Sequence, residues 1–349
     1  LLGDITSASD ASKAAQQILD LLQSPLRIAG REVSIRTSIG VAFGRYGDKA
    51  SQVLRDADAA RYAAKRDGKA SFRIFEPEMH AAVVAQLKLK SDLEAAIARQ
   101  ELRMVYQPIV NLEDGSLVGF EALVRWQHSL KGWQDPGAFI PFAEETGLIH
   151  EIGRWTLWEA ARRCREWVET LNPEPGHFKV SVNLSVRQLD DPHIVEEVER
   201  VLQKMRFDPS FLALEITETA MMNAAPGLLD DLSALGVPLA IDDFGTGYSS
   251  LASLHKLSID VLKIDQVFVR GIADDNDSSP FVGTMVQLGQ RLGLQTIVEG
   301  IETQSQLEKL RELGCRHGQG FYFAKPLAQS HADQLVLREV DGKPAFDLD

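Results

Sequence analysis

The chain has 349 residues, with 37 basic and 50 acidic side chains, a formal charge of −13, 44% hydrophobic and 25% charged residues. That size and balance fit a globular chain with one large domain, or one plus part of another. The acid excess excludes a protein that coats DNA or RNA duplexes, which needs a basic face.

The first elements alternate helix and strand. Residues 11–23 place apolar side chains at helical spacing, and Pro25 ends that helix. Residues 32–43 alternate and are β-branched, as a strand requires. Residues 51–66 read as a helix with Ser51 as its cap and a basic last turn; Asp67-Gly68 stops it, and 71–75 reads as a strand. A unit this short makes a poor core alone. Residues 78–99 read as one long helix joining two parts. Apolar strand candidates then recur at 102–110, 117–126, 178–184, 211–216, 237–242, 260–264, 295–299 and 319–323. Amphipathic stretches separate most of them, at 151–171, 192–205, 226–235, 280–292 and 303–313. Only Asn111–Ser116 separates the first two strands, which suits a hairpin. The rest of the alternation implies parallel strands with helical crossovers. Eight strands point to an α/β fold, a (β/α)8 barrel with an irregular start. An open doubly wound sheet is the rival, weakened by the lack of a Gly-rich loop after an early strand.

Charge divides with this organisation. Residues 1–79 carry about +2 and residues 80–349 about −15 by formal count. Part of that excess falls on the strands and their ends: the second carries Glu121, later ones end at or near Glu215, Asp242, Asp243 and Glu299 with Glu302 beyond, Asn183 and Lys263 close two more, and the eighth begins near Gln319. In a barrel the C-terminal strand ends meet on one face. Carboxylates gathered there repel one another unless cations neutralise them. Oxygen donors without Cys or His select hard ions, Mg²⁺ or Mn²⁺. Adjacent Asp242 and Asp243 could bridge two ions, which suggests a two-metal phosphate-ester hydrolase. Asp243-Phe244-Gly245 also spells a kinase-like triplet, but no Gly-rich nucleotide loop or HRD-type loop lies upstream. Trp126, Trp133, Trp155, Trp158 and Trp167 read as packing residues, and His128, His150 and His317 show no ligand spacing. Cys164 and Cys315 form no CxxC pair, which fits a reducing compartment. No run of 18 apolar residues exists. The chain opens on Leu1 without an initiator Met, so a piece of a longer protein is expected.

Glu121-Ala122-Leu123-Val124-Arg125 resembles the EAL signature of bacterial cyclic di-GMP phosphodiesterases. The resemblance extends in order through Tyr106-Gln107-Pro108-Ile109, Asn183-Leu184-Ser185, Glu215-Ile216-Thr217-Glu218, the run 242–251, Leu262-Lys263-Ile264-Asp265, Glu299-Gly300-Ile301-Glu302 and the run 318–323. It implies a modified (β/α)8 TIM barrel with an antiparallel first strand, hydrolysis of cyclic di-GMP to linear pGpG, and two Mg²⁺ or Mn²⁺ ions. Glu121, Asn183, Glu215 and Asp242 then match the ligands of one ion; Asp242, Asp243 and Glu299 match the second. Catalytic roles fall to Lys263, which orients or helps deprotonate the attacking water, and to Glu121 and Asp243. Arg125 matches a phosphate contact, and a nearby acid is its alternative partner. Gln107, Asp265, Glu302 and Gln319 match the substrate pocket. Glu218 with Phe244, Gly245, Thr246, Gly247, Tyr248 and Ser249 matches a regulatory loop coupled to dimer contacts. A homodimer through the barrel is implied, and a cyclic di-GMP receptor with little turnover is the alternative function.

Residues 34–43 and 54–75 resemble the C-terminal half of a GGDEF diguanylate cyclase domain, and 1–5 the strand after its signature loop, which is absent. The expected organisation is a partial α+β GGDEF-like domain at 1–76, a helical linker at 77–85 and an EAL barrel at 86–349. Cytoplasmic placement is expected for this portion, with an upstream sensor domain and any membrane anchor outside it.

Overall fold

The structure is a computed structural model that describes residues 7–23, 26–28, 31–33, 37–66, 71–245, 258–272 and 279–348. Two compact units divide between Leu93 and Glu94.

The first unit opens with α1 (Ala8–Gln23), which buries Ala11, Ala15 and Leu19 along one stripe at i, i+4 spacing. An antiparallel pair follows, β1 (Leu26–Ile28) with β2 (Arg31–Val33). Next come β3 (Ile39–Val41), α2 (Ala50–Arg66) and β4 (Phe72–Ile74), with β4 parallel to β3. The single strand expected over 32–43 is therefore two, β2 and β3, with 34–36 outside the described residues. α2 lies directly on β3: a Cβ on Gly40 would stand 1.9 Å from the Ala57 carbonyl oxygen. The close approach needs a residue without a side chain. The expected strand at residues 1–5 lies outside the described residues, as does the Asp67-Gly68 stop. α3 (Glu78–Ala98) contains the division between the units.

The second unit is a closed eight-stranded barrel. Its staves, in order around the barrel, are β5 (Leu102–Asn111), β6 (Leu117–His128), β8 (Lys179–Leu184), β9 (Leu212–Thr217), β10 (Leu239–Phe244), β11 (Val261–Ile264), β12 (Gln295–Val298) and β13 (His317–Gly318). β5 is antiparallel to both neighbours, β6 and β13; every other neighbouring pair of staves is parallel. The short turn after Asn111 permits only that reversal, because a parallel partner needs a crossover. A three-residue strand β7 (Gly132–Gln134) folds back antiparallel on the end of β6, and β14 (Leu327–Ala328) pairs with β5. Along β6, Phe120 and Ala122 pack outward into the main core, with Val124 against it. The alternating residues Glu121, Leu123 and Arg125 form the other row.

The eighth stave corrects the expected strand at 319–323. Pairing with β12 and β5 covers only His317 and Gly318. The Gln319 amide still donates to the Val298 carbonyl, and then the chain turns, with the Phe323 amide on the Gly320 carbonyl. Gly320 allows that turn, since a Cβ there would stand 2.1 Å from the Ile301 carbonyl oxygen. The aromatic residues that suggested a strand belong to the turn.

Candidate active site

Three staves end in the same three-residue pattern. Asn183-Leu184-Ser185, Glu215-Ile216-Thr217 and Lys263-Ile264-Asp265 each place a polar side chain at the barrel mouth, a buried aliphatic one in the outer core and an N-cap third. Ser185 accepts from the Gln188 amide, Thr217 from Ala220 and Asp265 from Val267. Strand alternation and helix capping together fix the first side chain against the axis.

Lys263 is the hub. Its side chain is buried, and Nζ lies 2.7 Å from Glu215 Oε2, 2.7 Å from Glu299 Oε1, 3.2 Å from Glu121 Oε2 and 3.3 Å from Asp242 Oδ1. Gln319 Nε2 donates to Glu121 Oε2 at 2.7 Å and to Glu299 Oε1 at 2.9 Å, and Asn183 Nδ2 donates to Glu121 Oε1 at 2.9 Å.

Burial and charge set the protonation of this group. Burial opposes the Lys263 charge, yet the four carboxylates raise its pKa well above the ordinary lysine value. Burial also opposes ionisation of Glu121, but Lys263 and the amides of Gln319 and Asn183 hold its pKa below the ordinary range. Glu215 lies well above it, through burial and the charges of Glu121 and Asp242. Burial, with Asp242 and Glu121, pushes Glu299 up to about 8. Asp243 is pushed up to about 6 by burial, by Asp242 and by a hydrogen bond with Asp265. One ammonium cannot neutralise five carboxyls, so protons make up the deficit.

A β-bulge brings the two adjacent aspartates together. The pairing of β10 with β11 runs Ile241 with Leu262 and then Phe244 with Ile264, so Asp242 and Asp243 stand against Lys263 alone. Asp243 takes a left-handed backbone, φ 55°. Neighbours on a regular strand face opposite sides; here Asp242, Asp243 and Glu299 each offer an oxygen, all within 4.8 Å of one another. Asp242 Oδ1 and Gln319 Oε1 are buried without a hydrogen-bond partner. An all-oxygen donor set, with one buried carboxylate oxygen that faces the Lys263 ammonium but accepts no hydrogen bond, fits a hard divalent ion.

Most of the expected pocket residues gather here. A cavity of about 240 Å³ is lined by Gln107, Glu121, Asp242, Glu299, Glu302 and Gln319 among others. Arg125 and Asp265 lie outside that lining. Arg125 Nε instead lies 3.2 Å from Asp135 Oδ1, and Asp265 caps the helix Gln266–Val269. Asn183 lines a second, more apolar cavity of about 360 Å³, with Leu123, Pro141 and Glu144. The wall of the first cavity also includes Leu123, within β6, and Gln266, Gly300 and Phe321, which strand-end reasoning missed because they follow the staves. Only Gly300 left a local sign, next to Glu299; a Cβ there would stand 2.3 Å from that of Gln266.

Glu218 begins the helix Glu218–Asn223, is buried, and accepts from the Gly245 amide at 3.1 Å. Phe244 is buried at the end of β10, and Gly245 has φ 96°. Thr246, Gly247, Tyr248 and Ser249 lie outside the described residues. Trp133 departs from the expected packing role: it is 58% exposed on β7. No helix among the described residues is long and apolar enough to cross a membrane.

Comparison with known proteins agrees with this geometry. The family model for the EAL domain matches residues 90–326, and that for the diguanylate cyclase GGDEF domain matches residues 1–71. The chain is 41% identical over 342 residues to the bifunctional diguanylate cyclase/cyclic di-GMP phosphodiesterase MucR of Pseudomonas aeruginosa, covering 96% of this chain and 49% of that protein. It is 37% identical over 331 residues to the cyclic di-GMP phosphodiesterase PdeR of Escherichia coli, covering 94% and 49%. The chain thus spans about half the length of these relatives. A solved structure of the PaMucR phosphodiesterase in complex with c-di-GMP superposes with a TM-score of 0.66 at 41% identity, covering 70% of this chain and 99% of that one.

Proposed function

This chain belongs to the EAL-domain family, and we propose that it hydrolyses cyclic di-GMP to linear pGpG by a two-metal mechanism with Mg²⁺ or Mn²⁺. The observation that carries this reading is the convergence of Glu121, Glu215, Asp242 and Glu299 on Lys263 at the barrel mouth, beside a cavity of about 240 Å³. Glu121, Asn183, Glu215 and Asp242 would hold one ion; Asp242, Asp243 and Glu299 would hold the other. When bound, such ions lower the pKa of a water and offset charge on the phosphate oxygens.

The chain's own residues do the rest. Lys263, kept cationic by its neighbours, orients the attacking water and stabilises charge rather than serving as a lone base. Gln319 locks Glu121 and Glu299 in fixed relation, which pre-organises the donors. Asp265 orients Asp243 through their hydrogen bond. Gln107 and Glu302 contact the dinucleotide from the cavity wall, and Arg125 takes a phosphate oxygen. Glu218 ties the start of the 244–249 loop to the site through Gly245. The active unit is a homodimer through the barrel, under the control of an upstream sensor domain.

The test is product analysis of cyclic di-GMP incubated with the wild type and Glu121→Ala. Conversion to pGpG with Mg²⁺ or Mn²⁺, abolished by chelation and lowered at least about a hundredfold in the variant, is expected for a metal ligand. Turnover that survives chelation refutes the metal mechanism. Tight binding without pGpG in the presence of either ion refutes hydrolysis.

A further inference from the structure

Arg125 is held at the barrel mouth by an acid from outside the metal cluster. It continues the row of Glu121 and Leu123 along β6, two pleats above the carboxylate hub. Its Nη1 donates to the Val124 carbonyl at 2.9 Å, and its Nε lies 3.2 Å from Asp135 Oδ1. The partner is supplied by the β6–β7 hairpin, whose register sets Gln134 against Trp126 and so carries Asp135 to Arg125. Asp135 precedes Pro136, which favours an extended backbone, and it has φ −75° and ψ 154°. It stands at the start of the 3-10 turn Pro136–Ala138 but makes no side-chain capping bond there, so its carboxylate serves the guanidinium instead.

The pair is lopsided in solvent. The Arg125 side chain is 16% exposed and that of Asp135 is 86% exposed. Water screens such a pair, and its net strength is small. A phosphate offers a guanidinium a stronger, bidentate acceptor.

We propose that Asp135 is an intramolecular competitor for Arg125, holding the guanidinium at the mouth until a substrate phosphate displaces it, and thereby setting KM. This rests on the reading of Arg125 as a phosphate contact. Asp135 does not touch the reacting atoms; it is a positioning residue acting through Arg125.

Asp135→Asn removes the charge while keeping the size and capping preference of the side chain. At low salt its KM for cyclic di-GMP falls about two- to fivefold, the strength of an exposed pair, with kcat unchanged. The gain shrinks as salt is raised, because screening already weakens the wild-type pair. Asp135→Glu keeps the charge and a near-wild-type KM. Arg125→Ala raises KM, and adding Asp135→Asn to it changes nothing further. An unchanged or raised KM in Asp135→Asn, or a gain that persists in the Arg125→Ala background, overturns the competition. If Arg125→Ala itself leaves KM unaltered, the phosphate role of Arg125 has failed and the proposal falls with it. A raised KM in Arg125→Ala without a fall in Asp135→Asn refutes the competition alone.

Discussion

Replacing Lys263 by Met should damage the metal-free barrel as well as its chemistry. Met keeps much of the length of the side chain and removes the ammonium from four carboxylates that lie 2.7 to 3.3 Å away. At an effective dielectric of about 20, each 2.7 Å contact has a gross attraction of about 6 kcal/mol once its carboxyl is ionised, largely offset by the cost of burying the charges. Removing one partner leaves the other charges buried and uncompensated, at a net cost of about 3–5 kcal/mol. For a barrel of this size that lowers the melting temperature by roughly 6–20 °C. The loss is largest near pH 8 in chelator, where Glu299 begins to ionise, and smaller near pH 5.5, where Asp243 and Glu299 carry protons in the folded state. Mn²⁺ restores much of it, since a divalent ion neutralises the same carboxyls. Scanning calorimetry at both pH values, with chelator and with Mn²⁺, measures all three effects. A variant as stable as the wild type at pH 8 in chelator, or one destabilised equally at both pH values, refutes the picture of Lys263 as the counter-charge of this cluster.

The raised carboxyls give the wild type its own pH dependence. Asp243 moves from 3.8 to about 6 and Glu299 from 4.5 to about 8. The folded, metal-free chain therefore binds more protons than the unfolded one across that window, and its stability falls as pH rises from about 4 through about 8. Divalent ions displace those protons, so Mg²⁺ affinity rises over the same interval; titration calorimetry in buffers of different ionisation enthalpy reads the released protons, and affinity flat from pH 6 to 8 counts against it. Gly119→Ala should destabilise the barrel by at least the about 1–3 kcal/mol of ordinary overpacking. The new Cβ would stand 1.9 Å from the Lys179 carbonyl oxygen, where β6 meets β8. A wild-type melting curve for that variant contradicts the close approach of those staves.

Much of the site was legible in the chain because strand alternation and capping are local. The triplets ending at Ser185, Thr217 and Asp265 can be read as inward donor, outward aliphatic residue and helix cap without any knowledge of the fold. The hairpin start was equally local, fixed by the short turn before Ser116. Less local features were misread. The last stave shrank to His317–Gly318 because only those residues find partners on both β12 and β5, while Phe321 and Phe323 looked like strand residues from composition alone. The exposure of Trp133 follows from the fold-back of β7, a pairing that its own sequence does not announce. Asp135 escaped attention for the same reason.

The amino-acid sequence by itself determined the chemistry of the donors: oxygen ligands, one lysine, and an acidic surplus confined to the larger part of the chain. It also determined the alternation that makes a barrel, since burial of one face of each element follows from side-chain order. Only the tertiary structure decided how those groups meet. Adjacent aspartates on a strand would diverge; the bulge opposite Lys263 and the left-handed backbone at Asp243 make them converge on Glu299. Closure of the barrel, in turn, surrounds the Lys263 ammonium with carboxylates from three staves and from Glu299, just past the end of β12. Both depend on contacts between residues distant in the chain, whose energies no local pattern encodes.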